Sequence, residues 1–298
     1  MTVTLLLRPR TLLRALLLPA LLLCGSAFAQ ERFSLFVPSP QATVERMIAI
    51  ARLQPGDVVI DLGSGDGRIV LAAARQHPAI RGWGVDINAD LVRQSNAAAQ
   101  EQGLAERVQF FHRNVFDTDL REATVINMWL FPELMRLLRP KILAEARPGT
   151  RVISNGFDWG GWAPDETDTE SGRVLKWIVP ARVAGYWSWE SNIGGAMLAY
   201  DAILEQRFQQ VEGVVRAGNR RGVLTSARLR GEELSMTLDI TLESGAVTRH
   251  EFSGRVRGER IEGSVTVTRD GDRLVQPWSA QRVRDRASFW RPTGVGVK

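Results

Sequence analysis

The stretch Asp61-Leu62-Gly63-Ser64-Gly65-Asp66-Gly67-Arg68 decides the fold. It follows Val58–Leu62, a short apolar run bounded by Gly56-Asp57 and Gly63, the pattern of a strand buried on both faces. It opens the helix expected over Arg68–Gln76. A buried strand, a glycine-rich turn and a helix make the first half of a βαβ unit, and the chain beyond keeps the alternation. Strands are expected at Gly82–Asp86, Val108–His112, Thr124–Leu130 and Arg151–Ser154, with helices at Ala89–Gln102 and Glu133–Ala146. The fold class is therefore α/β, a mostly parallel sheet with helices on both faces.

Glycines in such a turn let the chain bend sharply and let a ligand approach the backbone, beside the free N–H groups of the helix start. The spacing is G-x-G-x-G, without the third glycine position of dinucleotide sites or the Lys-Ser/Thr of a P-loop. An acid, Asp61, precedes the first glycine; it would repel a pyrophosphate and attract an ammonium. Asp86 ends the second strand, where a carboxylate accepts from ribose hydroxyls. Asn114 follows the third strand, placed for the edge of an adenine. The bland alternatives are a capping or turn aspartate at position 61 and a strand-end turn residue at position 86. Ammonium, ribose and adenine on successive strand ends describe S-adenosylmethionine. The cofactor-binding set is Asp61, Gly63, Ser64, Gly65, Gly67, Asp86, Ile87, Asn114 and Val115.

The tail changes period. Leu234, Met236, Leu238, Ile240 and Leu242 alternate with polar residues, and turn signals recur at Arg230-Gly231, Ser244-Gly245, Arg257-Gly258 and Asp270-Gly271. Such spacing predicts an antiparallel meander, curled into a barrel or half-barrel. At the other end, Arg8, Arg10 and Arg14 precede the apolar run Ala15–Leu23 and then Ala27-Phe28-Ala29, a signal peptide cut after Ala29. The expected domains are thus 1–29 signal, 30–190 α/β and 191–298 antiparallel β. Export, to the periplasm in a diderm bacterium, is the leading expectation, with an uncleaved inner-membrane anchor as the alternative. No stable span is expected after cleavage.

The net charge of +5 suggests a nucleic-acid partner at first sight. However, the excess lies in the signal and the β tail while the α/β part is slightly acidic, so no nucleic-acid partner is expected. The single cysteine, Cys24, excludes disulfides and thiolate metal sites in the mature chain, and His77, His112 and His250 are scattered, so no metal is expected. Trp159, Trp162, Trp177, Trp187 and Trp189 crowd one window, either as packing between the two domains or as an aromatic wall around a methylammonium. The acidic run Asp165, Glu166, Asp168 and Glu170 reads as a solvated loop, or as an attraction for a basic substrate.

These residues resemble the class I S-adenosylmethionine-dependent methyltransferases, and within them the lysine methyltransferases related to the enzyme that modifies the c-subunit of ATP synthase. The resemblance is carried by Phe36–Pro40, Val59–Val70, Asn88–Val92, Trp129–Pro132 and Trp162–Asp165. It implies a Rossmann-like fold, S-adenosyl-L-methionine as cofactor, and methyl transfer to a protein lysine or another amine. That branch more often has Glu at position 86, Asp at position 114 and small residues around position 129, and it lacks the β tail and an export signal. The acceptor side leaves Trp129, Pro132 and Asn155 as candidate catalytic residues; Trp129 reads equally as core packing, and Pro132 as the first residue of a helix. Two other functions stay open: methylation of a small molecule or envelope component, and an exported binding protein that keeps the fold without turnover. The sequence does not specify an oligomeric state.

Overall fold

The computed structural model describes residues 36–193, 196–241, 247–269 and 271–284. The signal-peptide reading of residues 1–29 lies outside them. Helix α1 (Gln41–Ala51) leads into β1 (Val58–Leu62), α2 (Arg68–Gln76), β2 (Arg81–Asp86), α3 (Ala89–Glu101), β3 (Val108–His112), β4 (Val125–Met128), α4 (Pro132–Glu145), β5 (Arg151–Asn155), β6 (Glu166–Asp168) and β7 (Val174–Ile178). The seven strands form one sheet in the order β3-β2-β1-β4-β5-β7-β6. The first five are parallel and β7 is antiparallel to both its neighbours. The expected central strand and first helix appear with the bounds read from the sequence, while β4 is shorter than the apolar run 124–130 because Trp129 and Leu130 leave the ladder at the cleft.

Strand alternation sorts the core into two faces. Val59, Val125, Ile153 and Val174 pack under α1 and α2. Ile60, Ile126, Val152 and Leu175 point the other way, under Met135, Leu138 and Ile142 of α4. The strand order reverses between β1 and β4, which opens a crevice at their carboxyl ends. Arg151 locks the opposite end of the sheet: it pairs with Asp57 and donates to the carbonyls of Ala51 (2.9 Å) and Arg52 (2.8 Å), while Thr124 Oγ1 donates to Asp57 (2.7 Å).

The tail forms an eight-stranded antiparallel barrel. Its strands are β8 (Gly185–Ile193), β9 (Ala196–Arg207), β10 (Gln210–Ala217), β11 (Arg220–Arg230), β12 (Glu233–Thr241), β13 (Val247–Arg257), β14 (Arg260–Arg269) and β15 (Asp272–Val283). Successive strands pair as a meander, and β8 closes the circle against β15 through the short ladder Gln281↔Ser188 to Val283↔Tyr186. The barrel thus begins at Gly185, before the break read at residue 190. Trp187 and Trp189 are the reason: they alternate inward on β8 and are buried in the barrel core.

The five tryptophans consequently divide. Trp159, Trp162 and Trp177 form a fully buried trio with ring centroids 6.0–6.2 Å apart. Phe208, on the β9–β10 turn, stacks on Trp162 at 5.8 Å and 14°, and Arg139 of α4 lies over Phe208. This is packing between the two domains, and no aromatic wall faces the glycine loop from these residues. The second junction joins Gly231, on the β11–β12 turn, to Gly149 before β5, with Ala181 N–H donating to the Gly231 carbonyl (2.8 Å). Gly149 lies at the amino end of β5, so this part of the barrel meets the sheet at the end opposite the glycine loop. The acidic run is also not free: Glu166 pairs with buried Lys176 and with Arg52, Asp168 and Glu170 pair with Arg46, and Asp165 accepts from Ile178 N–H. Its carboxylates tie β6 to α1 and β7, in place of the solvated loop expected.

Arg151→Ala leaves Asp57 buried without its cation and removes the Arg151 donor from the Ala51 and Arg52 carbonyls, of which only Arg52 keeps another, from Gln54. The expected loss is about 3 kcal/mol, read as a lower urea midpoint at unchanged slope.

Candidate active site

The glycine loop is held by main-chain bonds. Gly63 N–H and Ser64 N–H both donate to the Val85 carbonyl (2.9 and 3.0 Å), and Gly65 N–H donates to Asp86 Oδ2 (2.9 Å). Gly67, at φ +80°, caps α2; a Cβ there would lie 2.5 Å from the Phe110 ring and 2.7 Å from Ser95. Gly84 in β2 is needed for the same close approach, since a Cβ would lie 2.4 Å from Ser64 Cβ. Arg68 pairs with Asp66 and donates to the Ser39 carbonyl (2.6 Å), fastening the loop to the segment ahead of α1.

Asp61 lies opposite Asn127 in the parallel ladder, at the carboxyl ends of β1 and β4. Asn155 ends β5, on the same face of the sheet as Asn127. The face is apolar below them, at Val59, Val125 and Ile153. Asp61 Oδ1 and Asn127 Oδ1 are buried without a hydrogen-bond partner, as is Ser64 Oγ. Burial, then the charges of Asp86 and Asp66, push the Asp61 carboxyl up to about 8. Buried polar atoms are ordinarily bonded. A carboxylate set in such a place is satisfied by an arriving cation.

Asp86 uses each oxygen once, for Gly65 N–H and for Asn88 N–H (2.8 Å), which aims the carboxylate and leaves further lone pairs for a diol. Asn114 Oδ1 accepts from Phe116 N–H (3.0 Å) and caps the short turn Val115–Asp117, so its amide NH2 is the part left for a ligand. The Val115 side chain belongs to the core and offers a ligand only its main chain, whereas Ile87 is exposed beside Asp86.

Of the acceptor-side candidates, Trp129 is half-buried, and its indole nitrogen lies 3.9 Å from the position a Cβ would take at Gly156, bridging the ends of β4 and β5. Leu130 fills the space beside Gly63. Pro132 is the first residue of α4, the structural role open to it from the start. Asn155 is buried, with its Oδ1 near Gly172. Sequence reading missed Asn127 and the exposed rings of Phe131, just before α4, and Phe157, just after β5. Asn127 had a signal: an amide inside the buried run Val125–Met128 has no packing reason to be there.

Against known proteins, residues 61–166 match the model described as the ANTKMT methyltransferase domain, from the acid before the glycine loop to the start of β6. A protein-lysine N-methyltransferase of Saccharolobus islandicus is 40% identical over 131 residues, which are 44% of this chain and 81% of that protein. The chain belongs to the S-adenosylmethionine-dependent methyltransferase family. The ATP synthase c-subunit lysine N-methyltransferase of Mus musculus is 33% identical over 136 residues, 45% of this chain and 53% of its own length. The chain thus spans about half of that mammalian relative. A crystal structure described as an RNA methyltransferase of Salinibacter ruber, with S-adenosyl-L-homocysteine bound, is 44% identical over 49% of this chain and 96% of its own, with a TM-score of 0.48.

This methyltransferase takes S-adenosyl-L-methionine as cofactor, and the unpartnered atoms fit it. Asp61 and the glycine loop would hold the amino-acid end, Asp86 the ribose, and Ile87, Asn114 and the Val115 main chain the adenine. The raised pKa makes the pairing pH-dependent. Between about 4 and 8 the folded, ligand-free protein holds a proton that the unfolded chain releases, so Asp61 weakens the free fold as pH rises across that window. Cofactor affinity runs the other way, because the ammonium needs the ionised carboxylate. Calorimetry should show affinity rising between pH 6 and 8, by up to about tenfold per unit. Asp61→Asn should bind weakly and lose that slope.

Proposed function

We propose that this methyltransferase N-methylates a lysine of a protein. What supports the reading most directly is that the stretch holding the glycine loop, Asn127, Trp129 and Asn155 is the stretch related to enzymes described as lysine N-methyltransferases. The chemistry of the site agrees. The cofactor supplies a methyl group on a sulfonium whose departure leaves a neutral thioether, so the protein needs no acid. Its tasks are alignment and removal of water from the acceptor. The acceptor side carries neutral amides and aromatic rings, Asn127, Asn155, Trp129, Phe131 and Phe157. The lysine ammonium must first release a proton to solvent; the neutral amine is then oriented by amide oxygens, and the methylated cation is tolerated by ring faces.

Incubation with S-adenosylmethionine labelled on the methyl group and a bacterial protein extract tests this. Label should enter protein at lysine and be lost from an extract whose lysines have been acetylated beforehand. Label confined to lipid or small-molecule fractions, or indifferent to lysine blocking, would replace the protein acceptor with an envelope or metabolite acceptor.

We further propose that the enzyme is exported, on the basic start, apolar run and Ala27-Phe28-Ala29 of its first residues. Among the described residues no helix is long and apolar enough to cross a membrane. Alkaline phosphatase fused after residue 60 should be active; an inactive fusion would place the enzyme in the cytoplasm.

A further inference from the structure

The barrel wall is closed unevenly. Strands β10 and β11 pair only from Ala217↔Arg220 to Val214↔Val223, although β10 starts at Gln210 and β11 runs on to Arg230. The break has a local cause. The β11–β12 register shifts between Leu224 and Ser226, so Thr225 is an extra residue, a bulge of the kind that bends its strand and ends pairing. Thr225 Oγ1 donates to the Thr237 carbonyl and Ser226 Oγ to Thr237 Oγ1, both at 3.2 Å. These bonds hold the bulge to β12, and β11 parts from β10.

Between the parted strands runs a surface groove in two connected parts, of about 710 and 490 Å³, whose walls share Val211, Glu212 and Ala227. Main chain forms both sides. Residues of an antiparallel strand bond alternately to one neighbour and to the other. The tight turns at Phe208-Gln209 and Gly231-Glu232 set the phase: Gln210 and Glu212 bond to β9, and Arg228 and Arg230 bond to β12. Val211 and Gly213 on one wall, and Ala227 and Leu229 on the other, therefore turn their main-chain groups into the groove. Charges follow in order along the outside. Glu205 and Glu212, both exposed, stand directly opposite each other in the β9–β10 ladder, and among the described residues neither pairs with a cation. Such a like-charge pair weakens a ladder. Nearer the first domain come exposed Arg228 and Arg230, within electrostatic reach of Asp165.

We propose that this groove binds an extended peptide of a partner protein as an added strand, with a basic side chain beside Glu205 and Glu212 and an acidic one beside Arg228 and Arg230. Two open strand edges that face each other require donors and acceptors on both sides of one ligand, repeated at strand spacing. A polypeptide backbone carries that pattern, and a lipid chain satisfies neither edge. Outward side chains of a strand recur at every second residue, so a basic and an acidic residue two apart reach both charged stations. The residues between them point inward, toward Val211 and Leu229 of the barrel core. Arg230 precedes Gly231, which meets Gly149 at the amino end of β5, so the groove opens away from the glycine loop. The peptide docks a partner without entering the methyl-transfer cleft.

Three capped hexapeptides test it on the full chain: Ser-Val-Lys-Val-Glu-Ser, the same peptide methylated on both valine nitrogens, and Ser-Val-Gln-Val-Gln-Ser. The first should bind saturably in calorimetry and slow hydrogen exchange at the amides of Val211, Gly213, Ala227 and Leu229. The N-methylated peptide, which cannot complete the ladder, should bind at least tenfold more weakly, and the glutamine peptide at least threefold. Glu205→Gln combined with Glu212→Gln should weaken the first peptide at least threefold and leave the glutamine peptide unchanged. No binding of the first peptide, or equal binding of all three, would overturn the proposal. So would protection of the four amides in the protein alone: protection lost on dilution gives the groove to a second copy, and protection that persists gives it to the chain itself. The wild-type titrations decide the matter if the double variant fails to fold.

Discussion

A carboxylate buried without a counter-charge is the feature around which the first domain is organised. Asp61 sits at the carboxyl end of the central strand, beside Asn127 and above the aliphatic floor of Val59, Val125 and Ile153. A packing argument would place another aliphatic residue there. A cationic ligand would complete it. The neighbouring loop is fixed around that place: the glycine loop is pinned to β2 by main-chain bonds, Gly84 gives Ser64 room, and Asp86 accepts from Gly65 N–H. The two acids are separated by burial. Asp61 is desolvated and awaits a cation, whereas Asp86 is oriented by amides at the edge of solvent and suits hydroxyl groups.

The second domain is built on a different principle, and contacts between the two are few in kind. Aromatic packing of Phe208 on Trp162 and the close approach of Gly231 to Gly149 join them. Both junctions use turns of the barrel, so the strand interior is left to its own core. The β11–β12 turn meets the amino end of β5, at the end of the sheet opposite the glycine loop.

Much of the first domain was legible because its signals are local. The run Val58–Leu62 is apolar, short and punctuated; the helix Arg68–Gln76 follows a glycine; both appear with the bounds read from the chain. Asn127 was harder to find, since a lone amide in an apolar run gains meaning only when β4 is known to lie beside β1. The acidic run misled for the same reason. Asp168 and Glu170 read as solvent-facing until Arg46, more than a hundred residues earlier, is brought to them. The tryptophan cluster hid a boundary: five residues close in sequence fall into two cores, because the chain passes from a parallel sheet into a barrel between Ile178 and Gly185.

By itself the sequence determined the two periods, the glycine loop and the chemical character of the cofactor site, since turn geometry, burial period and charge are written in neighbouring residues. Tertiary structure alone decided closure of the barrel by β8, the row Asp61, Asn127 and Asn155, and the burial that drives Asp61 toward its proton. Each of these depends on which strands lie side by side. Strand adjacency joins residues far apart in the chain, and no local pattern encodes that distance.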